Sequence, residues 1–298
     1  MSSNRAAWQN AVGEKLSVQP APYTSPVENE IVIKNHAWAI NHVDWILQET
    51  AHFDWLKYPV ILGNDIAGEV AEVGSGVTRF KKGDRVLGMP IGSAINKPSE
   101  GGFQEYTVVQ AVLAAPIPNS MPYAEATGGA SAVGSNGIQL AVAAGYEVIT
   151  TASPKNFEYV KELGASEVFD YNSNTIVEDL VLTLKYKQFA GLFHAAGPSE
   201  PCFEVVDKIS GNKFVSTAMA VPENKPSGVD SKMVFAATIK DNKVGPAVFA
   251  DFLPKALVEG RYLVAPEPWV AGRGLEAVQD GFEKQKRGVS ARKVVVAL

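Results

Sequence analysis

Gly128-Gly129-Ala130-Ser131-Ala132-Val133-Gly134 is the stretch on which the fold turns. It opens a segment, Ser135–Ala144, whose apolar residues recur at helical spacing until Gly145 stops it. Beyond it, β-branched Tyr146–Thr151 reads as a strand, and Asn156–Leu163 as a helix stopped by Gly164. The strand Glu167–Phe169 and the helix Ile176–Leu184 follow. Next come the strand Phe189–Ala196, the helix Glu200–Ile209 and the strand Lys213–Thr217. Such alternation predicts a parallel sheet with helices on both faces. Two further helices, near Ala247–Glu259 and Gly274–Lys286, lead to a last strand, Lys293–Ala297.

Upstream of the glycines the pattern differs. Ile31–Ile40, Ile66–Val73, Asp84–Gly88 and Phe103–Val109 read as short strands, divided by turns such as Gly74-Ser75-Gly76 and Lys82-Gly83-Asp84. These predict a small β-barrel or sandwich. The expected division is residues 1–122 for this β-rich domain, 123–247 for the alternating domain, and 248–298 returning to the first.

Composition sets the limits. The 298 residues are 46% hydrophobic and 20% charged, which excludes dominant disorder. Net charge is −5, and no Lys/Arg stripe is visible, so no nucleic-acid partner is expected. The single cysteine, Cys202, cannot close an internal disulfide. With no secretory h-region and no long apolar run, a cytoplasmic protein off the membrane is expected.

Glycines before a helix let the backbone approach a pyrophosphate, whose charge then meets the helix N-terminus. The spacing is not a strict G-x-G-x-x-G, and no Lys-Ser/Thr follows as in a P-loop. The strand after this helix ends in Ser153-Pro154-Lys155-Asn156, and the first acid beyond it is Glu158. An acid at the strand end would hold a ribose 2′-hydroxyl. Ser153, Lys155 and Asn156 suit a 2′-phosphate instead, which favours NADPH over NADH.

Pro59-Val-Ile-Leu-Gly63-Asn-Asp65-Ile-Ala-Gly68-Glu-Val70-Ala-Glu-Val73-Gly74 resembles the long signature of the medium-chain dehydrogenase/reductase superfamily. Val77, Phe80, Gly83–Val86, Gly102–Tyr106, Asn41–Asp44 and Leu163-Gly164-Ala165 extend the resemblance over most of the chain. Within the superfamily it is similar to the zinc-free quinone reductase and enoyl reductase branch. Fungal zinc-binding-dehydrogenase-like proteins and trans-acting polyketide enoyl reductases belong to that branch. The resemblance implies a GroES-like barrel domain, a Rossmann domain and an active site in the cleft between them. It implies hydride transfer from NADPH to an enoyl or quinone substrate, possible service to a polyketide synthase, and no metal.

Carried over by motif, Asn41, His42, Val43 and Asp44 would line the nicotinamide end. Ala130, Ser131, Ala132 and Val133 would take the pyrophosphate. Ser153, Pro154, Lys155 and Asn156 would take the 2′-phosphate, and Tyr171 would pack near the adenosine. Zinc-using relatives carry a His-Glu pair where this chain has Asn64-Asp65, and a Cys in the Asn41 region. His36, His42, His52 and His194 show no i, i+4 pairing and read as surface or satisfied polar residues. Ile46 stands where relatives often carry a Lys, and His42 where they carry Pro, so no catalytic acid is assigned.

One departure is large. A Rossmann unit needs a buried strand leading into its glycine turn. Met121-Pro122-Tyr123-Ala124-Glu125-Ala126-Thr127 contains a Pro and a Glu and no Val or Ile, so it cannot be that strand. An internal deletion before the turn is expected, with the first strand lost. The alternative function is then a non-catalytic remnant with impaired cofactor binding.

Overall fold

The computed structural model describes residues 3–129 and 133–298. The chain forms two compact units, residues 1–132 with 239–298, and residues 133–238. The strands of the first segment are β1 (Asn4–Gln9), β2 (Ser17–Ala21), β3 (Glu30–Ala39), β4 (Val60–Ile61) and β5 (Asp65–Val73). They continue as β6 (Arg85–Gly88), β7 (Tyr106–Gln110) and β8 (Ala114–Pro116). The second unit holds β9 (Ile149–Ala152), β10 (Glu167–Asp170), β11 (Leu192–His194), β12 (Phe214–Thr217) and β13 (Asp230–Met233). β14 (Glu267–Arg273) and β15 (Arg292–Ala297) return to the first unit.

In the first unit, β2-β1-β4 form a three-stranded sheet, and β14-β15-β3-β5-β6-β8 form a larger one with β7 beside β3. β3 is its axis. Its Ile31-Val32-Ile33 run is fully buried, and both of its edges are bonded. One edge takes β5 along its length, while β7 and β15 share the other. Gly68 of β5 must be glycine, because a Cβ there would sit 2.0 Å from the Lys34 carbonyl oxygen. At a register shift in β3, Asn35 donates to the Gly102 and Gln104 carbonyls at 3.2 and 2.8 Å, and to Thr107 Oγ1 at 2.8 Å. The expected barrel is therefore two open sheets. The hydrogen-bonded path ends at β14 and β8, and an isolated bridge pairs Ala6 with Gln104.

The first two helices are α1 (His42–Glu49) and α2 (Gly92–Ile95). Residues 123–129, expected not to be a strand, form a third helix, α3 (Tyr123–Gly129). Tyr123 and Ala124 of α3 pack against Ala37, Ala39 and Val295.

All strand pairs of the second unit are parallel, but its sheet is in two pieces, β10-β9 and β11-β12-β13. Among the described residues no strand joins β9 to β11. Helix α4 (Val133–Ala143) precedes β9, α5 (Phe157–Glu162) lies between β9 and β10, and α6 (Ile176–Leu184) and α7 (Glu200–Lys208) follow. Phe203 and Val206 of α7 bury against Val215 and Val229. The β9/β10 piece is poorly covered: every residue of β10 is only half-buried, where a central parallel strand is buried on both faces. Two helices of the returning segment, α8 (Leu253–Val258) and α9 (Val278–Lys286), complete the first unit. No described helix is long and apolar enough to cross a membrane.

Amide hydrogen exchange checks this arrangement. Amides of Ile149–Ala152 should exchange at least about tenfold faster than those of Ile31–Ile33, because strands bonded on one edge open locally at lower free energy. Equal protection would mean that β9 has a second partner strand.

Candidate functional site

Two groups of residues matter, one in each unit. In the second unit, β9 and β10 end together, with Ala152 opposite Asp170. Ser153 then leads into a 3₁₀ turn, Pro154–Asn156, that runs straight into α5. The Tyr171 amide donates to the Ala152 carbonyl at 3.4 Å, which sets Tyr171, 56% exposed, beside Ser153. Ser135 Oγ and Tyr159 Oη lie 2.6 Å apart and join the first turn of α4 to the first turn of α5. Gly134 lies against Ala195, directly after β11.

The ends of three parallel strands and the N-termini of two helices thus gather at one pole. Unpaired helix N–H groups and the helix dipole favour an anion there. Pro154 and Lys155 are exposed, and Ser153 and Asn156 half-buried. Glu158 is tied to Lys161 at 3.0 Å, so the nearest acid after β9 already has a partner. The structure brings Val133, Ser153, Pro154, Lys155, Asn156 and Tyr171 to this pole. Ala130, Ser131 and Ala132 lie outside the described residues.

The turn after β11 contributes residues that the sequence reading did not single out for the site. His194 is buried; its Nδ1 lies 2.9 Å from Thr217 Oγ1 and its Nε2 3.1 Å from the Gly197 carbonyl. The carbonyl can only accept, so Nε2 donates to it. The ring ties the end of β11 to the end of β12. Cys202 of α7 is no candidate nucleophile, because burial pushes its thiol up to about 11.

In the first unit, Asn41 is the N-cap of α1, and His42, Val43 and Asp44 form its first turn. His42 is exposed, with its ring edge-on to Trp45 at 5.0 Å. Asp44 is fully buried, and its Oδ2 accepts the Asn41 backbone N–H at 2.7 Å, a reciprocal cap. The Asn41 carboxamide is bound at both ends. Its Nδ2 donates to Asp65 Oδ2, and its Oδ1 accepts from Lys293 Nζ at 2.7 Å. Asp65 and Lys293 were not singled out as site residues by the motif. The available signal for Lys293 is a lone lysine heading Val294-Val295-Val296, a strand buried on both faces.

Burial raises Asp44 to about 7, against the pull of the Asn41 amide and the Lys293 ammonium. Asp65 is raised and Lys293 lowered, both by burial first. Asn64, next to Asp65, spends its Nδ2 on the Pro90 carbonyl at 3.0 Å. Among the described residues no three His, Cys, Asp or Glu side chains are grouped to hold a metal ion.

Comparison with known proteins fits this division. Residues 27–119 match the alcohol dehydrogenase GroES-like domain, and residues 132–240 the zinc-binding dehydrogenase domain. A dehydrogenase of Monascus ruber is 42% identical, with all of both chains aligned. That alignment runs over 369 positions, so the relative carries internal residues with no counterpart here. A zinc-binding alcohol dehydrogenase domain-containing protein of Emericella nidulans is 49% identical over 311 positions, covering 99% of this chain and 98% of its own. A trans-enoyl reductase of Aspergillus japonicus is 35% identical, covering 99% and 97%.

Solved structures share the fold. The CurK enoyl reductase superposes with a TM-score of 0.77 at 16% identity, covering 99% of each chain. The Coxiella burnetii quinone oxidoreductase gives 0.68 at 20% with full coverage of both. A mycobacterial protein solved with NADPH gives 0.73 at 19%, covering 99% of this chain and 100% of its own.

The Asp44 carboxyl makes a pH prediction. Its value lies near 3.8 in the unfolded chain and about 7 in the folded one, so the folded state holds the extra proton between them. Asp44 therefore favours folding at low pH, and its contribution is lost as pH rises to about 7. Asp44→Asn keeps an acceptor for the Asn41 amide. Its melting temperature relative to the native chain should climb between about pH 4 and pH 7 and level off above. A pH-independent difference would place the Asp44 titration elsewhere.

Proposed function

The chain belongs to the medium-chain dehydrogenase/reductase superfamily, and we propose that it is an NADPH-dependent, zinc-independent reductase of activated C=C (enoyl) or quinone substrates. The observation that carries this reading is the pole of the second unit, where exposed Lys155 stands with Ser153 and Asn156 beside two helix N-termini. Lys155 would pair with the 2′-phosphate and Ser153 and Asn156 would hydrogen-bond it. Val133 and the residues before it would receive the pyrophosphate, and Tyr171 would flank the adenosine. Bound NADPH would supply the hydride, and the chain's task is to place it and exclude water.

Zinc does not fit this chain. The Asn41, Asn64 and Asp65 positions offer two carboxamides and one carboxylate. Both amide nitrogens are already donated, and a lysine ammonium sits on the Asn41 oxygen. A structural or catalytic zinc uses thiolate, imidazole or free carboxylate ligands. The trans-enoyl reductase relative supports an enoyl substrate, and a polyketide synthase as its source and the cytoplasm as its place are part of this proposal.

The split parallel sheet favours a second reading, a family remnant that binds cofactor weakly and does not turn over. Against the remnant reading, the Emericella relative aligned over 311 positions is a chain of nearly this length.

A fluorescence titration with NADPH, and NADH as control, separates the two. Saturable NADPH-selective binding is expected, with Lys155→Ala weakening NADPH by about ten- to a hundredfold and leaving NADH unchanged. No saturable binding by a chain that keeps its α/β circular dichroism would establish the remnant.

A further inference from the structure

Lys293 is an unusual residue for its place. It is 6% exposed, in a strand whose next three valines are fully buried. A buried ammonium persists only where carboxylates and hydrogen bonds surround it. Here the surroundings come from two other elements: Asn41 and Asp44 at the start of α1, and Asp65 at the start of β5. Asp44, Asp65 and Lys293 are the titratable groups that act on one another in this cluster.

The geometry gives the lysine a definite task. A carboxamide is nearly symmetric in shape, and only unlike partners decide which end is oxygen. An ammonium can only donate, so the Asn41 oxygen must face Lys293. A carboxylate can only accept, so the Asn41 nitrogen must face Asp65. The Asn41 backbone is held too, its N–H donating to Asp44. The buried Asp44 carboxyl has the Asn41 and Gly63 backbone amides and the Lys293 charge to offset its burial.

We propose that Lys293 is a positioning residue of the reductase site, an internal cation that orients the Asn41 carboxamide and balances Asp44 and Asp65 in the role a resident metal ion would otherwise fill. This deepens the preceding reading, because Asn41–Asp44 line the nicotinamide end only if that reading holds. Loss of the ammonium leaves the Asn41 oxygen without its donor and the buried Asp44 and Asp65 carboxyl groups without the cation that offsets their charge, so only Asp65 still holds the amide.

The test uses the full chain with three variants: Lys293→Met, Lys293→Arg, and the charge-compensated pair Lys293→Met with Asp65→Asn. The first readout is independent of activity. Carbon-13 NMR of aspartate-labelled protein follows the Asp44 carboxyl, whose titration should move up by about one unit or more in Lys293→Met and stay near native in Lys293→Arg. The second is NADPH-dependent reduction of an enoyl thioester. There kcat should fall at least about tenfold in Lys293→Met with the NADPH KM nearly unchanged, and Lys293→Arg should recover part of it.

If Lys293→Met does not fold, the double variant decides, since it keeps the net charge of the cluster. It should melt near the native temperature and still lose kcat. A double variant with native kcat, or an Asp44 titration unmoved by removal of the ammonium, overturns the proposal. If the native chain reduces no substrate, the reductase reading fails by itself. The NMR shift, read in Lys293→Met or, should that not fold, in the double variant against Asp65→Asn alone, then decides whether Lys293 governs the cluster.

Discussion

A strand bonded on both edges is the constraint on which the rest of this structure depends. β3 meets it in the first unit: β5 runs along one edge, and β7 and β15 divide the other. The core residues Ile31, Ile33, Trp38 and Val295 are fully buried as a result. The second unit has five strands, paired in parallel where β3's pairs are antiparallel, but no described strand with that role between β9 and β11. Backbone groups along those two edges have no ladder partner among the described residues. The half-buried β10 is the energetic trace, since each few hundred Å² of apolar surface left in water forgoes several kcal/mol at roughly 25 cal/mol per Å².

Side-chain amides recur where the backbone needs a turn held open. Asn35 bonds three oxygens where β3 shifts register, and Gln104 donates to the carbonyls of Pro98, Ser99 and Gly101. Asn41 does the same at the entry to α1, but with charged partners. Neutral oxygens suffice for the first two because their surroundings are backbone. Around Asn41 the surroundings are two buried carboxyl groups, and a cation offsets the charge they carry. Asn41 therefore serves both the fold and the candidate site, whereas Asn35 and Gln104 serve the fold.

Much of this was legible in the sequence. The alternation after Gly134 marks β9 to β12 and α4 to α7, because period and glycine stops are local properties. The run Met121–Thr127 also announces the missing strand, since Pro122 and Glu125 exclude a central strand whatever surrounds them. β1, β2 and β14 are not legible. Their residues include Pro20, Pro268 and exposed polar positions, and they are strands only because a neighbour offers an edge. The helix α1 escapes notice for a similar reason, as its cap depends on Asp44 folding back onto Asn41. On the site, Ser153–Asn156 and Tyr171 follow from strand ends. Lys293 does not, because its partner Asn41 lies 252 residues away, and no local pattern links them.

The placement of β15 also bears on how the chain is made. Its Val295–Ala297 edge bonds Ala39–Ala37 of β3, so one edge of the sheet's axis stays incomplete until β15 has left the ribosome. The second unit is wholly synthesised before that moment. Local βαβ contacts let it form early, whereas the β3–β15 pairing must close a loop that contains the whole second unit. The first unit therefore completes the β15 edge of its sheet only after the whole second unit has been made, although β5 and β7 can pair with β3 well before that.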